Sequence, residues 1–87
     1  MKKKQKILIV DDSKLNQQIL AEVLGEQYAY LYADDGLQAL EVLSANLDLS
    51  LILLDIHMPK MDGLGVLNVM KERQWVSEVP VIVISAE

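Results

Sequence analysis

The chain has 87 residues, which is enough for one small domain and too short for two. Its hydrophobic content of 52% and charged content of 24% are typical of a globular protein and exclude an intrinsically disordered one. The net charge of −5 argues against direct binding of this segment to nucleic acid or an anionic membrane. With no cysteine and no apolar run of about 20 residues, we expect neither disulfides nor a membrane helix, and a cytoplasmic location.

Apolar runs and helical spacing alternate along the chain. The predicted strands are Lys6–Val10, Tyr28–Ala33, Leu49–Asp55 and Val81–Ser85. The predicted helices are Lys14–Leu24, one that follows the cap Asp34–Gly36, and one around Leu64–Gln74. Asp12 or Ser13 suits the N-cap of the first helix and Gly25 its end.

The helices carry apolar residues at helical spacing. These are Leu15, Ile19, Leu20, Val23 and Leu24 in the first, and Leu37, Leu40, Leu43 and Leu47 on the apolar face of the second. We expect the third helix to face inward with Leu64, Leu67 and Met70 or nearby residues.

The order β-α-β-α-β-α-β predicts an α/β fold with a doubly wound parallel sheet, because parallel strands need right-handed helical crossovers. In such sheets, sites form at the carboxyl ends of the strands, where the strand order switches. The polar residues at these ends are Asp11 and Asp12, then Asp55, then Ser85. We therefore expect these four side chains to converge.

Three carboxylates at one place repel one another, and a divalent cation relieves that repulsion. Oxygen ligands of this kind favour Mg²⁺, and no histidine or cysteine cluster competes for a transition metal. A carboxylate beside such an ion is a nucleophile toward phosphoryl groups, and Asp55 is placed for that role. Ser85, followed by the small Ala86, can donate a hydrogen bond to a phosphate oxygen.

The motifs "ILIVDDS", "DDGLQALEVL", "LILLDIHMPKMDG" and "VPVIVISAE" together resemble the receiver (CheY-like) domain of two-component response regulators. The resemblance covers the whole chain and implies a flavodoxin-like sheet of order 2-1-3-4. It implies that Asp55 is the phosphoacceptor and that Asp11, Asp12, Asp55 and the backbone carbonyl of His57 hold Mg²⁺. Ser85 resembles the switch hydroxyl.

Such a domain takes its phosphoryl group from a histidine kinase or phosphotransfer protein. It catalyses only its own phosphorylation and dephosphorylation, so it is not classed as an enzyme. The family continues past the position of Ser85 with a helix, a strand that ends in a lysine, and a final helix. We therefore expect residues 1–87 to be the N-terminal portion of a receiver domain, with weak Mg²⁺ binding and with phosphorylation that is slow or absent.

A fourth strand at a free edge, "VIVI", also predicts a homo-oligomer. Edge pairing, an exchanged element and packing of uncovered sheet faces all remain open as its mode. The alternative function is a degenerate receiver that acts only as a dimerisation or interaction module. A phosphatase with an aspartate nucleophile is disfavoured, because those enzymes place "DxD" after the first strand and this chain has "VDDS".

Overall fold

The computed structural model of the chain describes residues 4–46, 48–55, 63–74 and 79–84. Strands and helices alternate within these residues. In chain order they are β1 (Gln5–Val10), α1 (Lys14–Leu24), β2 (Tyr28–Ala33), α2 (Gly36–Ala45), β3 (Leu51–Asp55), α3 (Gly63–Glu72) and β4 (Val81–Ile84). None of the helices in these ranges is long and apolar enough to cross a membrane.

The four strands form one parallel sheet in the order β2-β1-β3-β4, which confirms the predicted fold class and strand order. β1 pairs on both sides, since Val10 lies opposite Ala33 of β2 and Leu54 of β3. β3 in turn pairs with β4, with Asp55 opposite Ile84. The inner strands of the described sheet are therefore β1 and β3, and β2 and β4 are its edges.

Alternating side chains of the inner strands build two apolar layers, one on each face of the sheet. On one face, Leu8, Val10, Ile52 and Leu54 pack with residues of α2 and α3. On the other face, Ile7, Ile9 and Leu53 pack with residues of α1. Because both faces are covered, the buried stretches of these strands, residues 7–10 of β1 and residues 52–54 of β3, are apolar, as is typical of a sandwiched parallel strand.

The ends of the helices follow from local chemistry. The Ser13 hydroxyl accepts a hydrogen bond from a backbone N–H of α1, and the Asp35 carboxylate does the same for α2. Gly25 ends α1 at φ 100°, a left-handed backbone that glycine adopts without a Cβ clash. α3 ends at Glu72, two residues before the predicted end, and Gln74 has a positive φ of 61°.

The inward faces of the helices use only some of the apolar residues at helical spacing. In α1 the side chains of Leu15, Ile19 and Val23 are exposed, and Leu20, Ala21 and Leu24 face the sheet. Leu37 of α2 and Leu64 of α3 are also exposed, because α2 buries Ala39 and Leu43 and α3 buries Val66 and Met70. β3 begins at Leu51 rather than Leu49. Leu47 lies outside the described residues.

Candidate functional site

The first part of the site is the turn between β1 and α1. Asp11 directly follows β1 and is buried, with 5% of its surface exposed. Its Oδ1 accepts a hydrogen bond from the Ser13 N–H at 2.9 Å, and Oδ2 lies 3.5 Å from the Asn16 side-chain amide. Asp12 is exposed at the rim. The turn therefore carries one buried and one exposed carboxylate at the carboxyl end of β1.

The second part is Asp55, the last residue of β3. It is buried, with 5% of its surface exposed. The pairing of Val10 with Leu54 places the next residue of each strand side by side, so Asp11 and Asp55 become neighbours. Carboxylate oxygens of Asp11, Asp12 and Asp55 all lie within 4.8 Å of one another. The structure thus brings together the three acids that the sequence placed at strand ends.

Burial and the crowding of these acids both affect the pKa of Asp11. Burial raises the pKa of the Asp11 carboxyl above its usual range. The negative charges of Asp55 and Asp12 act in the same direction. The hydrogen bonds that Asp11 accepts from Ser13 and Asn16 oppose the rise. The site therefore disfavours negative charge until a cation balances it.

The three acids fit a magnesium ion. Mg²⁺ takes oxygen ligands at about 2.1 Å, so two oxygens on opposite sides of the ion are about 4.2 Å apart. The 4.8 Å spread of the three carboxylates is close to that separation, and one of them is open to water. Mg²⁺ usually keeps several waters, which suits an arrangement with an exposed rim. The donor set and its spacing both match this metal.

Two further predicted site residues are His57, through its backbone carbonyl, and Ser85. Both lie outside the described residues. Their roles stay predictions.

A glutamine and an aspartate that the sequence reading did not assign to the site lie beside it. Gln17 of α1 is 4% exposed, and its side-chain amide donates to the backbone oxygen of Asp11 at 2.8 Å and to Oδ1 of Asp34 at 2.9 Å. This Gln17 contact, together with the Lys14 ammonium 3.1 Å away, lowers the pKa of Asp34 below its usual range. Gln17 lies on the same helical stripe as the inward-facing Leu20, Ala21 and Leu24, but the sequence does not tell which stripe of α1 faces inward.

Comparison with known proteins decides the family. The family model for the response regulator receiver domain matches residues 7–87. The chain belongs to the response regulator receiver domain family. It is 34% identical over 82 residues to two-component response regulator ORR5 of Oryza sativa, covering 93% of this chain and 61% of that relative. Its identity to ORR3 of the same plant is 35%, covering 93% and 63%. This receiver chain thus spans about three fifths of the length of the curated relatives it matches.

Solved receiver structures share the fold. The CheX–CheY–BeF3–Mg²⁺ complex from Borrelia burgdorferi matches with a TM-score of 0.83 and 33% identity, covering 95% of this chain and 63% of that one. TrrA from Thermotoga maritima, in complex with Mg²⁺ and beryllium fluoride, matches with a TM-score of 0.84 and 30% identity, covering 95% and 70%. The predicted flavodoxin-like receiver fold and the assignment to two-component signalling are confirmed.

Proposed function

We propose that this receiver domain accepts a phosphoryl group on Asp55 from a histidine kinase or a phosphotransfer protein, with Mg²⁺ as cofactor. The observation that carries the proposal is the convergence of the Asp11, Asp12 and Asp55 carboxylates within 4.8 Å at the carboxyl ends of two adjacent strands. Two structural relatives whose names include Mg²⁺ and beryllium fluoride support the choice of metal and of a phosphoryl-like ligand.

In this proposal, Asp11, Asp12 and Asp55 hold the ion together with the backbone carbonyl of His57. When bound there, Mg²⁺ would supply positive charge that offsets the negative charge of the transferring phosphoryl group. A carboxylate oxygen of Asp55 attacks phosphorus as the bond from phosphorus to the donor imidazole nitrogen breaks. The imidazole leaves with the bonding electron pair and takes up a proton from water. The hydroxyl of Ser85 donates a hydrogen bond to a phosphoryl oxygen.

The burial of Asp55 suits a nucleophile of this kind. Fixed neighbours on β1 and β4 hold the end of β3, because Leu54 pairs with Val10 on one side and with Val83 on the other. A nucleophile on a rigid strand reaches phosphorus with little loss of freedom in the reaction. The exposed Asp12 marks the open side, from which the donor approaches.

The test is phosphorylation by a small donor. The chain is incubated with acetyl phosphate and Mg²⁺ and its intact mass is measured over time. We expect one phosphoryl group on the unaltered chain and none on Asp55→Asn, because an amide oxygen does not form the acyl phosphate. Removal of Mg²⁺ with a chelator is expected to abolish labelling of the unaltered chain.

The matched control is Asp48→Asn, which removes an exposed carboxylate that pairs with Lys6 on the surface. It should label like the unaltered chain. Equal labelling of Asp55→Asn and the unaltered chain would show that the phosphoryl group goes elsewhere.

The second candidate function is an interaction module without phosphoryl chemistry. One observation favours it: Leu15, Ile19 and Val23 form an exposed apolar stripe along α1, and Ile82 and Val83 are exposed on the edge strand β4. Apolar surface of this kind is typical of contact with another protein. A chain that self-associates but takes no phosphoryl group from acetyl phosphate would favour this candidate over the first.

A further inference from the structure

A glutamine side chain is buried among the groups that support the acidic site. Gln17 lies one turn into α1, on the stripe that faces the sheet, and only 4% of its surface is exposed. A polar side chain at such a position is stable only when its hydrogen bonds are made within the protein. Its neighbour Gln18 is exposed. The buried amide therefore has a specific set of partners that its neighbour lacks.

Those partners lie at the carboxyl ends of two different strands. The Gln17 side-chain nitrogen donates to the backbone oxygen of Asp11 at 2.8 Å, after β1. It lies 3.3 Å from the backbone oxygen of Ala33, the last residue of β2, and 2.9 Å from Oδ1 of Asp34. One amide group thus ties α1 to both strand ends.

The bond to the Asp11 oxygen fixes one particular peptide. That oxygen belongs to the planar unit that joins Asp11 to Asp12. The N–H of Asp11 is also held, since it donates to the Ala33 oxygen at 3.0 Å. With groups on both sides of its α-carbon held, Asp11 cannot rotate its backbone freely. The same peptide joins the α-carbons that carry the two neighbouring carboxylates, so holding it restricts how these side chains lie relative to one another.

The far end of the link is anchored as well. Asp34 accepts from Gln17 through Oδ1 and pairs with the Lys14 ammonium through Oδ2 at 3.1 Å. Its backbone N–H donates to Oε1 of Gln38, in the first turn of α2. Gln17 is therefore held by a carboxylate that is itself fixed, and its amide has little freedom to turn away from Asp11.

We propose that Gln17 is a positioning residue, which holds the Asp11–Asp12 peptide so that both carboxylates are preorganised for a divalent cation. The inference rests on the proposed function, because it concerns the same Mg²⁺ site. Gln17 does not ligate the metal or touch Asp55 in this scheme. Groups that orient metal ligands typically contribute about 10-fold or more to metal affinity, because the ligands need not be ordered when the metal binds.

The experiment compares Gln17→Met with Gln18→Met. Methionine has nearly the length of glutamine and no amide, so Gln17→Met keeps the packing and removes the hydrogen bonds. The dissociation constant for Mg²⁺ alone is measured by calorimetry at a temperature where circular dichroism shows each variant folded. We expect about 10-fold weaker binding for Gln17→Met and an unchanged value for Gln18→Met. A residue that only stabilises the fold would lower the melting temperature without metal and leave this constant unchanged.

A second pair of variants covers the case in which Gln17→Met does not fold. Asp34→Ala and Asp34→Asn lose the same negative charge, but only Asp34→Ala also loses the acceptor for the Gln17 amide. Weaker Mg²⁺ binding by Asp34→Ala than by Asp34→Asn supports the positioning role. Equal Mg²⁺ binding by the two Asp34 variants, or by Gln17→Met and the unaltered chain, overturns this inference alone. No Mg²⁺ binding by the unaltered chain overturns the proposed metal site, and the inference with it.

Discussion

The pKa values of two aspartates at the same edge of the sheet are shifted in opposite directions. Asp11 is buried beside Asp55 and Asp12, and its pKa is raised, with burial as the largest cause. Asp34 accepts a hydrogen bond from Gln17 and pairs with Lys14, and its pKa is lowered. The difference lies in the partners rather than in the residue type. Asp11 lacks a cationic neighbour among its contacts in the described structure, which suits a ligand that awaits a metal ion.

The lowered pKa of Asp34 predicts an acid-dependent loss of stability. A carboxyl with a pKa below its unfolded value of 3.8 stabilises the fold above that pH, and the contribution disappears as the pH falls through the native pKa. We expect the free energy of unfolding of the unaltered chain to exceed that of Asp34→Asn by about 1 kcal/mol near neutral pH, since solvent screens this half-exposed pair. Urea unfolding at several pH values measures the gap, which should close below pH 3.8. A gap that does not change with pH would contradict the assignment.

At the scale of single elements, the type and order of the helices and strands in the described residues followed from the sequence, but the faces of the helices did not. α1 carries two apolar stripes, one with Leu15, Ile19 and Val23 and one with Leu20 and Leu24. The spacing of apolar residues in the sequence shows that both stripes exist. It does not tell which stripe packs against the sheet. The stripe that contains the polar Gln17 turned out to be the buried one. Burial of this stripe is possible because Gln17 donates hydrogen bonds to backbone oxygens at the ends of two strands, and the sequence does not reveal such bonds.

The site was likewise predictable from the sequence only in part. The carboxylates of Asp11, Asp12 and Asp55 were predictable, because strand ends in a parallel sheet meet at one edge. Gln17 was not, because its partners include the backbone oxygens of Asp11 and Ala33, and backbone oxygens have no sequence signature.

The cap of α1 gives a prediction for one element. The Ser13 hydroxyl accepts from the Asn16 N–H at 3.2 Å, so Ser13→Ala leaves that donor without its partner at the start of the helix. We expect a loss of about 1 kcal/mol in the free energy of unfolding, measured with urea. Ser44→Ala is the control, because the exposed Ser44 donates to the Glu41 backbone oxygen within its own helix and caps no helix N-terminus. Equal losses in the two variants would mean that the cap contributes nothing beyond an ordinary surface contact.

At the scale of the whole molecule, the described sheet has an exposed edge. Ile82 and Val83 of β4 are about half exposed, on opposite faces of that strand. A strand edge with apolar side chains on both faces favours pairing with a second copy. Self-association of the chain was predicted from the sequence and stays a prediction.

Light scattering at low micromolar concentration measures this association. We expect the 87-residue chain to form dimers or larger species, and Ile82→Lys to shift it toward the monomer, because a charged edge opposes strand pairing. Leu64→Lys is the matched control: it removes a similarly exposed apolar side chain that lies on α3 rather than on the edge strand. A monomeric unaltered chain would refute the prediction, and equal effects of both lysines would point to general apolar contact instead of edge pairing.

The position of β1 and β3 inside the sheet affects how the site is lost when the protein unfolds. The buried acids Asp11 and Asp55 sit at the ends of these two strands, and each strand has a partner on both sides. Fraying of β4 would leave the pair of acids assembled, whereas fraying of β2 would release the hydrogen bond from the Asp11 N–H to the Ala33 oxygen. The site would disappear only when β1 and β3 separate, which is part of the global unfolding event. We therefore expect the acidic pair Asp11 and Asp55 to open together with the central strands rather than with the edge strand β4.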